Sequence, residues 1–384
     1  MKKFFGIVNR YLKASDLGLV LASLICSAIS CAMLLSIADN ELLERCDSST
    51  VRTQIIASIL GLGIVIILSI IDYNKLVKLW WIYAPVALGL VGLTFTSLGY
   101  RRGGADDQAW IAIGNFYLQP SELLKLAFIL TFSMHLSKVE ESMNEIKHML
   151  LLCFHAAVPI LLIAKQGDYG TAIVFVIIFL AEILSAKIAV RYIIAAMVAI
   201  PVTCLLAWNF LLSDMHRQRI LVIMHPGTDP EDLEYQQDLG ISALANGQIF
   251  GAGLHSENGY VSVPEMHNDF IYAHVGQAWG FIGALLILLF LTYICIKVLT
   301  DSLYTKNHQG KLICIGTFGM IFSHCFMNIG MVLKVMPVIG IPLPFLSAGG
   351  TAVVCMYTAI GLVNSTRCHN VRKYRMFYDA EPDR

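Results

Sequence analysis

Apolar residues along this chain fall in long unbroken runs, and polar residues collect between them. The three-to-four-residue alternation that lays one greasy stripe along a soluble helix is missing. The runs lie at residues 17–38, 54–71, 79–98, 119–136, 148–164, 171–186, 192–212, 270–296, 312–333 and 350–365. Each approaches the roughly 20 residues that cross a bilayer core. The pattern predicts an all-α polytopic membrane protein with about ten transmembrane helices, forming one membrane domain over 1–384, with both termini on one side. No small-residue cleavage site follows the first run, which is longer than a signal-peptide core, so it reads as a retained anchor.

Composition sharpens this picture: 57% of the 384 residues are hydrophobic and only 14% charged, outside the range of soluble domains. The net charge of zero says little, because the charges are sorted by side. Placing the N-terminus inside puts two thirds of the 27 Lys and Arg residues in cytoplasmic segments, the bias that orients membrane proteins. The basic tail at 366–384 then reads as an orientation signal touching anionic membrane lipids, and no nucleic-acid partner is expected. Most of the ten cysteines lie in the runs and none forms a C-x-x-C pair, so neither disulfides nor a zinc site is expected.

This orientation leaves one long extracytoplasmic loop, 213–268, between the seventh and eighth helices. It carries Arg217 and Arg219, a Pro/Gly/Asp turn cluster, and then DLEYQQDLGISALANGQIFGAGL, which predicts a short amphipathic helix and a glycine-punctuated turn. The loop ends in VPEMHNDFIYAHVG, where Glu265, His267, Asn268 and Asp269 directly precede a greasy run. An ionisable cluster at a membrane boundary costs free energy unless something uses it. Asp269 is also suited simply to cap the following helix.

Other polar groups sit at membrane depth. In LQPSELLKLAF, Pro120 suits a first helical turn, and Glu122 and Lys125 share one face, as a site pair or as a plain structural ion pair. Lys165 and Asp168 occupy a short turn beside Gly167 and Gly170, which a solvated turn would explain equally well. His155 and Glu182 read as internal packing residues. The prolines Pro337, Pro342 and Pro344 of MPVIGIPLPFLSAGG forbid a continuous helix. That segment is either a broken, buried wall of a cavity or a rigid external turn.

Four blocks, WIAIGNFYLQPSELLKLA, GDYGTA, PEMHNDFIYAHVGQAWGFIGA and NIGMVLKVMPVIGIPLPFLSAGGT, occur in this order between matching runs. Together they resemble the SEDS family (shape, elongation, division and sporulation; RodA/FtsW/SpoVE-like), nearest its RodA branch, over almost the whole chain. The resemblance implies a fold of ten membrane helices and a peptidoglycan glycosyltransferase polymerising lipid II in a bacterial cytoplasmic membrane, alongside a class B penicillin-binding protein. It maps the catalytic acid to Asp269, which would take a proton from the attacking sugar hydroxyl as undecaprenyl pyrophosphate leaves. A free aspartate titrates near ~3.9, and partial desolvation would make it a better base. The expected substrate-side set is Glu122, Lys125, Asp168, Arg217, Arg219, Glu265 and His267, with Arg101 and Arg102 as further cations. No protein metal site is expected, although a divalent cation would suit the pyrophosphate.

Departures from the family pattern occur at Ala109, at ALANGQ (243–248), at Asn268, at GQAWG (276–280), where Gln277 and Ala278 replace two acids, and at Ala348. Two rival readings are a lipid II flippase and a scaffold for wall-synthesis proteins. A flippase would line a path through the bilayer with polar groups, whereas here the ionisable residues gather toward one face.

Overall fold

The structure, a computed structural model, describes residues 14–40, 43, 46–101, 107–114, 116–225, 234–254 and 259–370. The N-terminal basic residues before Ala14, Arg102 and the tail beyond Asn370 lie outside the described residues. Within them the α-helices are α1 (Leu17–Ala38), α2 (Ser48–Ile70), α3 (Tyr73–Lys78), α4 (Trp80–Leu93), α5 (Pro120–Lys138), α6 (Ile146–Lys165) and α7 (Tyr169–Ser185), followed by α8 (Val190–Leu206), α9 (Asp214–Met224), α10 (Tyr235–Asn246), α11 (Ile271–Tyr304), α12 (His308–Val332) and α13 (Gly350–Asn370). Each of the ten apolar runs carries a helix, and the run at 79–98 leaves the helix after Leu93. Six helical stretches, including α8 with its π-helical extension to Leu211, are long and apolar enough to cross a membrane. The chain is therefore a multi-pass membrane protein.

The all-α expectation needs one correction. Residues 99–118 form a three-stranded antiparallel sheet: β1 (Gly99–Tyr100), β2 (Trp110–Ile113) and β3 (Phe116–Leu118), in the order β1-β2-β3. Ile113 pairs with Phe116, so the β2–β3 connection is only two residues long, and it opens on Gly114 at φ 61. Gly-Asn between β-branched and aromatic residues is a hairpin signal. It sits beside the run at 119–136 and is masked by that run's hydrophobicity.

Helix α12 is central and α8 peripheral. In the best apolar window of α12, 83% of residues are buried, against 0% for Val190–Leu211. Helices α2 and α13 approach through small residues, as membrane helices must when packing alone holds them together. A Cβ on Gly61 would stand 2.5 Å from the Tyr357 ring, and one on Gly361 3.0 Å from Leu68.

Two features depart from regular helix packing. Helix α11 is broken at Gly280, whose φ of 69 and ψ of −166 lie outside the reach of other residues. The glycine turn after α10 fills the break: Ala252 N–H donates to Gln277 O (2.9 Å), Gly253 N–H to Ala278 O (3.0 Å), and Phe281 N–H to Gln248 O (2.8 Å). The second is the proline-rich segment 336–349, which is irregular, with residues 343–348 all buried. Ser27 donates to Phe345 O at 3.5 Å and Ser30 to Leu346 O, both from α1. Ser30 lies eight residues before the end of α1, a depth of about 12 Å at 1.5 Å per residue. The segment is thus a buried wall and no external turn.

Helix α7 starts on Asp168, whose Oδ1 accepts from Thr171 N–H at 2.9 Å, while Oδ2 accepts from Gln119 Nε2 at 3.4 Å. Asp168 is buried, so the solvated-turn reading fails for it, whereas Lys165 is exposed. Burial, aided by Asp107 and opposed by the Thr171 bonds and Lys125, raises its pKa from 3.8 to about 6. Lys334, just past α12, reaches Glu234 at 3.0 Å and Asp238 at 2.6 Å, and so fastens α10 to the core.

Two outcomes follow from these contacts. A Cβ at Gly280 would lie 2.4 Å from Gly251 N and Ile249 O, whereas one at Gly63 meets nothing within 4 Å. Gly280→Val therefore lowers the melting temperature in detergent sharply, and Gly63→Ala leaves it unchanged, in thermal scans followed by size-exclusion chromatography. For Asp168 the folded state holds its proton more tightly than the unfolded chain, so stability is lost as pH rises from about 4 to about 6. A shift of this size is worth at most about 3 kcal/mol. Asp168→Asn keeps an acceptor for Thr171 and removes the slope, so it melts higher than the parent at pH 7 and equally at pH 4.

Candidate functional site

The turn before α11 is held by its backbone. The carbonyls of three consecutive residues each accept a hydrogen bond from the α12–α13 region: His267 O from Ala348 N–H (3.0 Å), Asn268 O from Ser347 Oγ (2.6 Å) and Asp269 O from Asn328 Nδ2 (2.8 Å). This ladder fixes the main chain at Asp269 while the side chain remains half-buried. Asp269 does not occupy the helix cap: the N-cap is Phe270, and no side chain caps α11. Within the turn, Glu265 adopts φ 54, a left-handed conformation that costs a non-glycine residue about 1 kcal/mol. Its Oε2 accepts from Asn268 Nδ2 at 2.5 Å and lies 4.0 Å from His267 Nε2.

Opposite this turn runs the 336–349 wall. Gly340, at φ 67, brings it against the acid, since a Cβ there would stand 3.5 Å from Asp269 Oδ2. The wall's carbonyls are satisfied from several elements. Asn328 Nδ2 donates to Ile341 O at 2.7 Å as well as to Asp269 O, and His324 Nδ1 bonds Pro342 O at 3.1 Å. Arg219 Nη1 donates to Val338 O at 3.3 Å, and Gln237 Nε2 to Met336 O at 2.8 Å. Gly170 of α7 packs on the wall as well: a Cβ there would meet Ile339 at 2.9 Å, which explains the second glycine of GDYGTA.

Behind the wall lies the ion pair expected from spacing. Lys125 Nζ is 2.8 Å from Glu122 Oε1 and 2.7 Å from His324 Nε2, and all three side chains are buried. An ammonium can only donate, so His324 Nε2 accepts and Nδ1 carries the proton given to Pro342 O. A relay runs from Glu122 through Lys125 and His324 to the wall. With Lys125 0% exposed and shared between two partners, its charge acts through the protein matrix, not by contact with solvent.

The remaining expected residues fall around this core. Arg217, on α9, lies 3.3 Å from Asp214 and donates to Asn209 O. Arg219, one turn-half further, is the arginine that reaches the wall. Asp168 sits at the start of α7, with Gln119 linking it to α5, its pKa raised by burial as described above. Arg101 follows β1 and is exposed. His155 packs between α5 and α6 against Phe128 and Phe132, and Glu182 is fully buried, consistent with internal roles. Among the described residues no group of three or more His, Cys, Asp or Glu could hold a metal ion.

Sequence reading missed His324, Asn328 and Ser347. The first two stand four apart on one face of a greasy helix, and polar side chains at membrane depth were the available signal. The departures at 276–280 are structural: Gln277 is buried, accepts from Val261 N–H at 3.0 Å and donates back to Val261 O at 3.3 Å. Ala348 contributes only its backbone N–H to the ladder, so that bond does not depend on its side chain.

Comparison with known proteins converges on one family. The family model described as cell cycle protein, FtsW/RodA/SpoVE, matches residues 16–372. A probable peptidoglycan glycosyltransferase FtsW from Geobacter sulfurreducens is 30% identical over 322 residues, covering 81% of this chain and 83% of that protein. The peptidoglycan glycosyltransferase MrdB of Escherichia coli K12 is 28% identical over 314 residues, with 81% and 83% covered. In fold, the chain is similar to one in a peptidoglycan synthase complex whose structure concerns coordinated polymerization and crosslinking. There the TM-score is 0.77 at 21% identity, over 95% of this chain and 99% of the other. Four sequence blocks, the helical architecture and these matches agree, and the chain belongs to the FtsW/RodA/SpoVE family.

Proposed function

We propose that this chain is a peptidoglycan glycosyltransferase of a bacterial cytoplasmic membrane, polymerising lipid II with Asp269 as general base. It forms one membrane domain with about ten crossings, both termini inside and the 213–268 loop outside. Support comes from the glycosyltransferase names of its relatives and from one observation above all. A half-buried carboxylate stands on a turn whose three carbonyls are pinned, facing a wall stripped of side-chain bulk at Gly340. Fixed placement of a base beside an accessible surface is what acceptor activation needs.

The acceptor's 4-hydroxyl oxygen attacks the donor's anomeric carbon, and its proton passes to an Asp269 oxygen. The new C–O bond forms as the bond from that carbon to the pyrophosphate oxygen breaks. Undecaprenyl pyrophosphate leaves with the electron pair. A pyrophosphate needs no proton from the enzyme to depart, so the second carboxylic acid of glycoside hydrolases is unnecessary, and cations stabilise the departing charge instead. Arg219 and Arg217 on α9 fill that role. Glu122, Lys125 and Asp168 lie behind or beside the wall and support its shape and potential, while Glu265 and His267 hold the turn that carries the base. Lipid tails pack among the membrane-facing helices. The likeness to a synthase complex favours a class B penicillin-binding protein as partner.

Purified protein, alone and with a candidate class B partner, is incubated with lipid II in detergent, and polymer is resolved by gel. The parent makes glycan strands, and Asp269→Ala and Asp269→Asn lose about 10²–10⁴-fold in rate, the usual contribution of a general base. Polymerisation by Asp269→Ala at the parental rate would falsify the assignment. Translocation of lipid II in proteoliposomes without any polymer would identify a transporter.

A further inference from the structure

We infer that His324 and Asn328 form a positioning pair for Asp269, a role that rests on the reading of Asp269 as base. The two residues are i and i+4 on α12, on one face, and together they hold consecutive carbonyls of the wall: Pro342 O at 3.1 Å and Ile341 O at 2.7 Å. Asn328 holds the acid's own carbonyl as well, at 2.8 Å. One amide nitrogen therefore spends its two hydrogens on the two sides of the site. The amide orientation is fixed by chemistry, since the reverse would aim Oδ1 at two carbonyl oxygens.

The pair joins the only buried lysine of the described residues to the acid through the protein interior. Lys125 donates to His324 Nε2, which fixes the tautomer whose Nδ1–H reaches Pro342 O. Losing the Lys125 donor would free His324 to change tautomer and release Pro342 O. Both residues are about 1% exposed, so neither touches substrate, and their effect on chemistry passes through geometry alone. Displacement of a reacting group by about 1 Å costs about 10²-fold in rate.

Aspartate is nearly the size of asparagine but has no donor when ionised and a single O–H when protonated, so it cannot hold both Asp269 O and Ile341 O. The other two bonds of the ladder, from Ala348 and Ser347, remain in such a variant, so the turn persists while the tie between the acid's carbonyl and the wall is broken. Full-length Asn328→Asp is assayed for lipid II polymerisation beside the parent, His324→Ala and Asp269→Ala, with melting temperature recorded for each. The expected result is a fall in kcat of about 10–100-fold for Asn328→Asp and His324→Ala, with KM for lipid II within twofold of the parent. A merely structural lesion lowers the melting temperature and the folded fraction, which cuts apparent kcat at unchanged KM, so kcat is referred to folded protein quantified by size-exclusion chromatography. Should Asn328→Asp not yield folded protein, Asn328→Ser, which keeps one hydroxyl donor, carries the same test with a smaller loss of kcat. An unchanged kcat in a folded Asn328 variant, or a loss confined to KM, overturns the positioning role while an inactive Asp269→Ala leaves the base reading standing. Activity retained by Asp269→Ala overturns both.

Discussion

A polypeptide that leaves the helix inside a bilayer must find a donor for every carbonyl it exposes, because hydrocarbon supplies none. A packed protein interior supplies none either, and segment 336–349, buried over residues 343–348, is under the same constraint; most of the site follows from how it is met. Its three prolines remove three donors of its own. Donors therefore arrive from elsewhere: Ser27 and Ser30 on α1, His324 and Asn328 on α12, Arg219 on α9, Gln237 on α10. The segment becomes a hub to which elements far apart in sequence are tied. Asp269 is drawn against it because one of those donors, Asn328, has a second hydrogen to give.

The buried Glu122–Lys125 pair belongs to the same economy of charge. Removing either ion would leave the other unpaired in a dry interior, a loss of about 3–5 kcal/mol in comparable pairs, while the intact pair adds little net stability. Its retention makes sense as a fixed dipole that sets the His324 tautomer and so commits a donor to Pro342 O.

Much of this was legible in the chain. Length and hydrophobicity place a helix in each apolar run, Pro120 opens α5 as its position implies, and three-residue spacing pairs Glu122 with Lys125. The prolines of 336–349 announce a broken segment, but spacing leaves a buried wall and an external turn equally open. Depth is a tertiary property, and the contacts with Ser27 and Ser30 reveal it. The same limit hid the roles of His324 and Asn328. Each looks like a tolerated polar residue in a greasy run until its partners, at 18, 13 and 59 residues' remove, are known. The short sheet at 99–118 leaves no signal at helical length, because its strands are only two to four residues long.

The departures from the family pattern are explained by contact as well. ALANGQ and GQAWG, distant in sequence, meet at the break in α11, where Cβ atoms on Gly247 and Gly251 would collide with the backbone of residues 276–280. In that crowded joint Gln277 bonds Val261 in both directions, through Oε1 and Nε2. A carboxylate at 277 could accept from the Val261 N–H but would face the Val261 carbonyl with a second acceptor. An amide closes the joint without a buried charge. The altered Gln277 is thus fitted to Val261 beside the joint, and the hydrogen bonds that pin the turn ahead of α11 involve none of the residues at the break.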